Sequence, residues 1–427
     1  MKQANNPFNA KLNARGRIRQ SASKVGKYLK TGGKQNIVIV FATIVLFALF
    51  TLINPSFASS GMFLTMSKAF VPYAILALGV TFVIATGGID LSIGTVCIGS
   101  AVLAGALCKT GVTVEDGTLW LTIPIILVTG LAFGLINGVL VAKCKIAPFI
   151  ATLGTMLVSR GLTSVISEIV RKTSSAVKYP TTGWFQKIFT NYNGFPVGII
   201  WVLVLTVICM VVMYKTKIGR YILAIGSNEE ATRLSGINVD KYKIIAYAIG
   251  GFFAGLAALF YVASNPSLTI AGGNGMELDA IAGVYIGGTS TTGGSASVIG
   301  TILGSLILVV IRQGLNMALA GGSVVSATNI TYAVTGIIVV GAVLLDVLKK
   351  KAAAKVKIEK PSDKLLKETK EKIEELKIEK DYALSAKDNC EALQRVKDID
   401  LEIASLKKVI MEEVPTLKAE EKKNQRG

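Results

Sequence analysis

Ten apolar runs, parted by short polar or glycine-rich gaps, divide the chain between residues 36 and 348. They cover 37–53, 69–86, 91–107, 119–142, 149–170, 197–213, 244–263, 278–287, 296–320 and 330–348. Most approach the roughly 20 apolar residues that a helix needs to cross a bilayer. The run 278–287 is too short to span and reads as half of a broken helix or as a re-entrant piece, so the pattern admits nine or ten crossings. It predicts an all-α, polytopic helical membrane protein with about ten transmembrane segments, some broken or re-entrant.

After residue 348 the periodicity changes. Leu366, Ile373 and Leu376, then Val396, Ile399, Ile403, Leu406 and Ile410, recur at three-and-four spacing. Two amphipathic helices joined near Ser385 to Asn389 follow, with Pro415 expected to end the second. A cytoplasmic C-terminal helical hairpin is one reading of this stretch and a solvated charged tail is the other. Three parts result: a basic N-terminal tail over 1–35, a transmembrane domain over 36–348 and a charged amphipathic helical extension over 349–427.

Charge orients this scheme. The mean hydropathy is +0.55 and the net charge +19. Residues 1–34 carry nine Lys/Arg and no acid, a load that suits a cytoplasmic tail better than the short basic start of a cleaved signal. The basic excess lies in tails and in gaps flanking apolar runs, which sets topology and favours anionic lipid surfaces; a nucleic-acid partner is not expected. With the N-terminus inside, Lys143, Lys145 and the 215–243 loop fall inside, and Glu115 and Asp116 outside. Arg171, Lys172, Lys178 and Lys187 also fall outside, against the rule.

Candidate chemistry is sparse. Histidine is absent, which removes Ser-His, Cys-His and His-metal arrangements. Cys97, Cys108, Cys144, Cys209 and Cys390 form no C-x-x-C and read as small packing residues. No catalytic residue, metal site or bound cofactor is expected. No G-x-x-x-x-G-K-[ST] occurs, so energy for any transport has to come from a partner or a gradient. Glycines four apart (Gly130, Gly134 and Gly138; Gly251 and Gly255; Gly283 and Gly287; Gly300 and Gly304) predict close helix packing.

Only ten acids lie between residues 36 and 348, and Asp90 and Asp279 are the two placed nearest membrane depth. A carboxylate there costs roughly 2.5–3.5 kcal/mol on insertion scales, so each should face a cavity or a partner. Around Asp90, Gly87 and Gly88 break the apolar run. Asp90 or Ser92 can cap a new helix starting near Leu91, or the break can line a polar solute's route. The stretch from Glu277 to Gly300 has the same texture, and two glycine-interrupted segments point to a translocation site of discontinuous helices. Asn137, Thr152, Gln313 and Asn316 join the candidates as polar residues within apolar runs. In the long polar loop, Gly226 and Gly236 bracket a short helix over 228–234 that Asn228 or Ser227 can cap, with Glu229 and Glu230 in its first turn.

Four stretches now carry a resemblance: GGIDLSIG, INGVLVAKCKIAPFIATLGTM, GRYILAIGSNEEATRLSGINVDKYKI, and ELDAIAGVYIGGTSTTGG with GTILGSLIL beyond it. Spread in one order over some three quarters of the chain, they resemble the permease subunit of sugar-type ATP-binding cassette importers, the ribose/xylose/galactoside permease family. The resemblance implies a permease that pairs with a second copy or a paralogue and receives a monosaccharide from an extracytoplasmic binding protein. It implies that cytoplasmic ATPase subunits, which use the ATP, drive alternating access in the cytoplasmic membrane of a prokaryote; the charge pattern, for its part, puts both termini in the cytoplasm. By the same resemblance Gly226, Asn228, Glu229, Ala231, Arg233, Gly236 and Ile237 fall on the ATPase-coupling segment. Gly88 to Ser92 and Glu277 to Ala282 fall on two elements that line or shape the pathway. The C-terminal extension departs from the compact end of that family.

Two other readings are weighed beside it. A gradient-driven carrier or channel for a small polar solute would use Asp90 and Asp279 as ion or proton sites. An intramembrane carboxylate enzyme would need the same two residues face to face.

Overall fold

The computed structural model describes residues 35–110, 113–114, 117–171, 177–180, 182–265, 267–319, 361–385 and 390–424, with scattered positions between 330 and 348. The tail 1–34, Glu115, Asp116, Lys172, Asp346, the linker 386–389 and much of the run 330–348 lie outside the described residues. The chain forms two compact units, Met1–Asp346 and Val347–Gly427.

In the first unit, helix α1 (Gln35–Ile53) leads through a 3-10 turn to α2 (Ser60–Ala85) and α3 (Ile93–Leu107). Then come α4 (Leu119–Ala142), α5 (Pro148–Arg171), the short α6 (Trp184–Phe189) and α7 (Val197–Lys215). Helices α8 (Lys217–Ser227) and α9 (Glu229–Leu234) precede α10 (Val239–Ser264), α11 (Met276–Ile286) and α12 (Val298–Leu319). Seven of these, α1, α2, α4, α5, α7, α10 and α12, are long and apolar enough to cross a membrane. The 15 residues of α3 and 11 of α11 fall short, at about 22 and 16 Å of helix by 1.5 Å per residue. The 11 residues of α11 are the half-helix expected of the run 278–287, whereas the run 91–107, expected as a crossing, forms a helix too short to span by itself.

Four two-residue strands, β1 (Lys109–Thr110), β2 (Thr113–Val114), β3 (Val177–Lys178) and β4 (Ser267–Leu268), make one small sheet in that order. The first and last pairs are antiparallel and the β2–β3 pair is parallel. The sheet gathers the chain just after α3, α5 and α10 at one end of the bundle, here the sheet end. The opposite, loop end is fixed by Lys145 Nζ, 2.7 Å from Asp240 Oδ1, which ties the α4–α5 gap to the start of α10. Gln35 at the start of α1 donates to the Ile286 carbonyl at the end of α11, 3.2 Å away. Lys178, on β3, thus stands at the end opposite Lys145.

The glycine spacing explains the densest packing. A Cβ on Gly134 would stand 2.5 Å from the Tyr247 carbonyl oxygen, and one on Gly251 would stand 2.3 Å from that of Gly130. No side chain fits between α4 and α10, so their backbones touch. Gly283 of α11 and Gly287, which caps its end, meet Gly304 and Gly300 of α12 in the same way. Around these contacts Leu76, Ile84, Ile98, Ile126 and Phe260 fill the core.

In the second unit, α13 (Pro361–Ser385) packs against α14 (Cys390–Asn424) through Ile373, Leu376, Ile399 and Ile403. Lys380 meets Asp400 at 2.5 Å and Arg395 meets Glu379 at 2.8 Å. Pro415 does not end α14, which continues to Asn424. Pro415 and Met411 are exposed, so the carbonyl that the missing proline N–H leaves unpaired faces water.

Candidate functional site

The chain leaves α2 through Thr86 and Gly87, whose φ of +80° strongly favours glycine. Gly88 passes under the Tyr247 hydroxyl, where a Cβ would stand only 2.6 Å away. That hydroxyl donates to the Ile89 carbonyl at 3.2 Å, pinning the break to α10.

Asp90 follows, 1% exposed. Its Oδ1 accepts from the Ser92 amide at 2.8 Å and the Ser92 hydroxyl at 2.7 Å. Asn137 of α4 donates to Ser92 Oγ at 2.8 Å and lies 3.4 Å from Asp90 Oδ1. Thr155 of α5 donates to Asn137 Oδ1 at 2.5 Å. The expectation that Asp90 or Ser92 caps a helix at Leu91 is corrected: α3 begins at Ile93, its N-cap Ser92 makes no side-chain cap bond, and Asp90 closes a turn instead. The Asp90 carboxylate is taken up by the Ser92 amide and hydroxyl, with Asn137 close by. The Thr152 side chain bonds back to the Pro148 carbonyl of its own helix and takes no part in this network, which Thr152 meets only through its carbonyl, 3.1 Å from the Thr155 hydroxyl. Thr155, one turn further along α5 and not among the residues that the sequence pattern marks, completes it.

The second break lies against the first. Gly94, at the start of α3, packs on Gly273 and Glu277 so closely that a Cβ on it would stand only 2.8 Å from the Gly273 carbonyl oxygen. The Glu277 Oε1 accepts from the Gly275 amide at 3.2 Å. At the other end the Gly294 amide donates to the Ala85 carbonyl at 3.1 Å. A Cβ on Gly226 of α8 would stand 2.0 Å from that Ala85 oxygen and 2.3 Å from the Gly294 nitrogen. Gly226 therefore seats the loop-end helix α8 onto both breaks at once.

Asp279, in the first turn of α11, is paired with Arg312 of α12. The Arg312 fork also donates to the Tyr73 hydroxyl of α2 at 2.8 Å and stacks 5.1 Å from that ring's centre. Gln313 and Asn316 are half-buried beyond Arg312 on α12. The structure thus separates Asp90 and Asp279 into two clusters with different partners. Neither Arg312 nor Tyr73 is among the candidates that the sequence pattern marks, although Arg312 is the one basic residue in its apolar run.

Beyond α8, Asn228 caps α9 by accepting from the Ala231 amide at 2.9 Å. Glu229 Oε1 lies 3.1 Å from Arg233, and its Oε2 lies 2.6 Å from Lys243. Burial works against ionising Glu229, but the Lys243 ammonium and the Arg233 guanidinium outweigh it and hold the carboxyl below the ordinary glutamate range. Gly236 turns the chain with φ +78° ahead of Ile237. Leu234 is 84% exposed at the end of α9.

Residues 62–343 match the family described as the branched-chain amino acid transport system, permease component. The chain belongs to that permease family. The Ribose import permease protein RbsC of Haemophilus influenzae is 40% identical over 284 residues, 65% of this chain and 84% of that protein. Its namesake from Bacillus subtilis is 37% identical over 310 residues, 72% of this chain and 91% of the relative. The Fructose import permease protein FruF of Bifidobacterium longum is 37% identical over 257 residues, 60% of this chain and 70% of that protein. No solved structure matches.

Proposed function

We propose that this chain is the membrane-spanning permease subunit of an ATP-binding cassette importer, moving a monosaccharide of the ribose, xylose, galactose or fructose class by alternating access. The observation that carries the reading is the seat of Gly226. Helix α8 rests on the ends of both broken segments, so a force applied to the adjoining α9 reaches Ala85 and Gly294 together. A gradient-driven carrier has no need of such an external lever. The family membership supports the permease role, and the ribose and fructose import relatives support a monosaccharide as the solute.

In this reading the loop end faces the cytoplasm and α9 docks into a separate ATPase subunit that hydrolyses ATP. Asn228 and Gly236 shape α9, with Asn228 holding the Ala231 amide; Thr232 packs it, and Glu229 and Arg233 brace it against Lys243 and Asp240. Leu234 is then the apolar side chain offered to the partner. The sheet end receives the solute from an extracytoplasmic binding protein, and a second permease copy or paralogue completes the pathway. The domain limits 1–35, 36–348 and 349–427 belong to the same proposal, with the last part an appendage outside the transport core.

The test is to purify the chain in mild detergent from its native membrane and assay what accompanies it. A co-purifying nucleotide-binding subunit is expected, with ATP hydrolysis that needs both proteins. Leu234→Asp should abolish solute-stimulated hydrolysis while leaving the chain inserted and folded. Recovery of the chain alone, or full stimulation in the variant, would overturn the coupling assignment.

A further inference from the structure

Arg312 has no role in the coupling just described, and its position is costly. Tyr73, its partner on α2, stands fourteenth of 26 residues, about 20 Å from either end of that helix by 1.5 Å per residue. The cluster of Tyr73, Asp279 and Arg312 therefore lies near the middle of the apolar spans. It is also incompletely covered: the Arg312 side chain is 21% exposed and that of Asp279 10%. The two charges line a cleft with Tyr73, Ser305, Leu308 and Val309. An ion pair whose open side looked onto acyl chains would leave guanidinium donors and carboxylate lone pairs unmatched, so that side faces a polar pathway.

The chemistry of the cleft narrows what it can hold. Asp279 accepts and Arg312 donates, in a fork already oriented by Tyr73, so hydroxyl groups of either polarity find a partner. Leu308 and Val309 line the cleft beside the pair and make its wall apolar. The pair has no net charge. An anion would compete with Asp279 for the guanidinium, and a cation with Arg312 for the carboxylate, whereas a neutral polyol leaves the pair intact. The half-helix α11 brings Asp279 to this depth, where discontinuous helices build solute sites.

We propose that Arg312, Asp279 and Tyr73 form a mid-membrane contact site for the hydroxyl groups of the transported solute, a neutral polyhydroxylated ring. The inference rests on the permease reading above and adds the residues that meet the substrate inside the membrane.

The test uses the full chain with its ATPase subunit and binding protein in proteoliposomes, with D-ribose, D-xylose and D-fructose as probes. Arg312→Lys keeps the charge and loses the fork, and Asp279→Asn keeps the shape and loses the anion. Either should reduce uptake about tenfold or more, the loss of one charge-assisted hydrogen bond. Tyr73→Phe keeps the ring and removes only the hydroxyl; it should change the ratio of uptake among the three sugars, which a merely structural role would not move. If the ratios in all inserted variants equal the wild-type ratios, with losses that follow the amount of assembled complex, the site is overturned while the permease reading stands. If the wild-type complex hydrolyses ATP but moves neither these three sugars nor D-galactose, both fail. Should the charged variants not insert, the Tyr73→Phe ratios decide alone.

Discussion

Asp90 and Asp279 are both buried carboxylates beside a glycine-broken segment, yet the protein treats them differently. Asp90 is enclosed by neutral donors: the Ser92 amide and hydroxyl and, at longer range, Asn137, itself held by Thr155. Asp279 is matched by a full charge on the next helix, and that pair borders a cleft. The first arrangement joins α3, α4 and α5 around a turn. The second joins α2, α11 and α12 and keeps an open side. Burial and depth alone therefore do not mark a solute site; the partner and the open side do.

The largest expected effect falls on the charged pair. Arg312→Met leaves Asp279 without its partner and should cost about 3–5 kcal/mol, the usual penalty for orphaning one member of a buried pair. Combining it with Asp279→Leu removes both charges, and the double variant should recover most of the melting temperature in detergent. Transport should stay lost in the double variant if the pair meets the solute. A double variant as unstable as Arg312→Met would mean that the pair is a structural requirement like Asp90, and the contrast between the two acids would collapse.

Asp90 should behave in the opposite way. Asp90→Ala strips the acceptor from the Ser92 amide and hydroxyl, at about 1–3 kcal/mol for a buried group left unsatisfied. Asp90→Asn retains one acceptor oxygen and should lose less. Neither change should alter the relative uptake of different sugars by the protein that remains folded. A shift in that ratio with Asp90→Asn would place Asp90 on the pathway.

The apolar runs and the glycine spacing made most of the membrane-spanning architecture readable, because helix length and small-residue packing are set by local sequence. The short run at 278–287 was readable as a half-helix for the same reason. The sheet was not: two-residue strands contain no periodicity, and their pairing depends on gaps brought together by α3, α5 and α10. At the candidate site, Asn137 and Asp279 stood out as polar residues in apolar surroundings. Thr155 did not, since choosing it over Thr152 requires knowing which face of α5 meets α4. Arg312 carried a usable signal, being one of only two basic residues inside the ten apolar runs, the other being Arg160. Tyr73 carried none, because a tyrosine in a span is ordinary.

The smallest expected effect comes from outside the spans and sharpens the comparison by supplying a solvent-facing ion cluster. Glu229 is 41% exposed and braced by Lys243 and Arg233, with its carboxyl held below the usual glutamate range. A group whose pKa is lower in the folded state contributes stability that is present above the unfolded value, about 4.3, and is lost as pH falls through the folded one. Melting temperatures of wild type and Glu229→Gln should therefore differ by a constant amount between pH 7 and 5 and converge below about pH 4. At this exposure the difference should stay under about 1 kcal/mol, and molar salt should shrink it. The penalty of Arg312→Met, set by an orphaned charge at mid-span, should respond far less to salt. Equal salt sensitivity in the two variants would mean that Arg312 and Asp279 sit in bulk water, and the argument that their open side faces an enclosed polar pathway would fail.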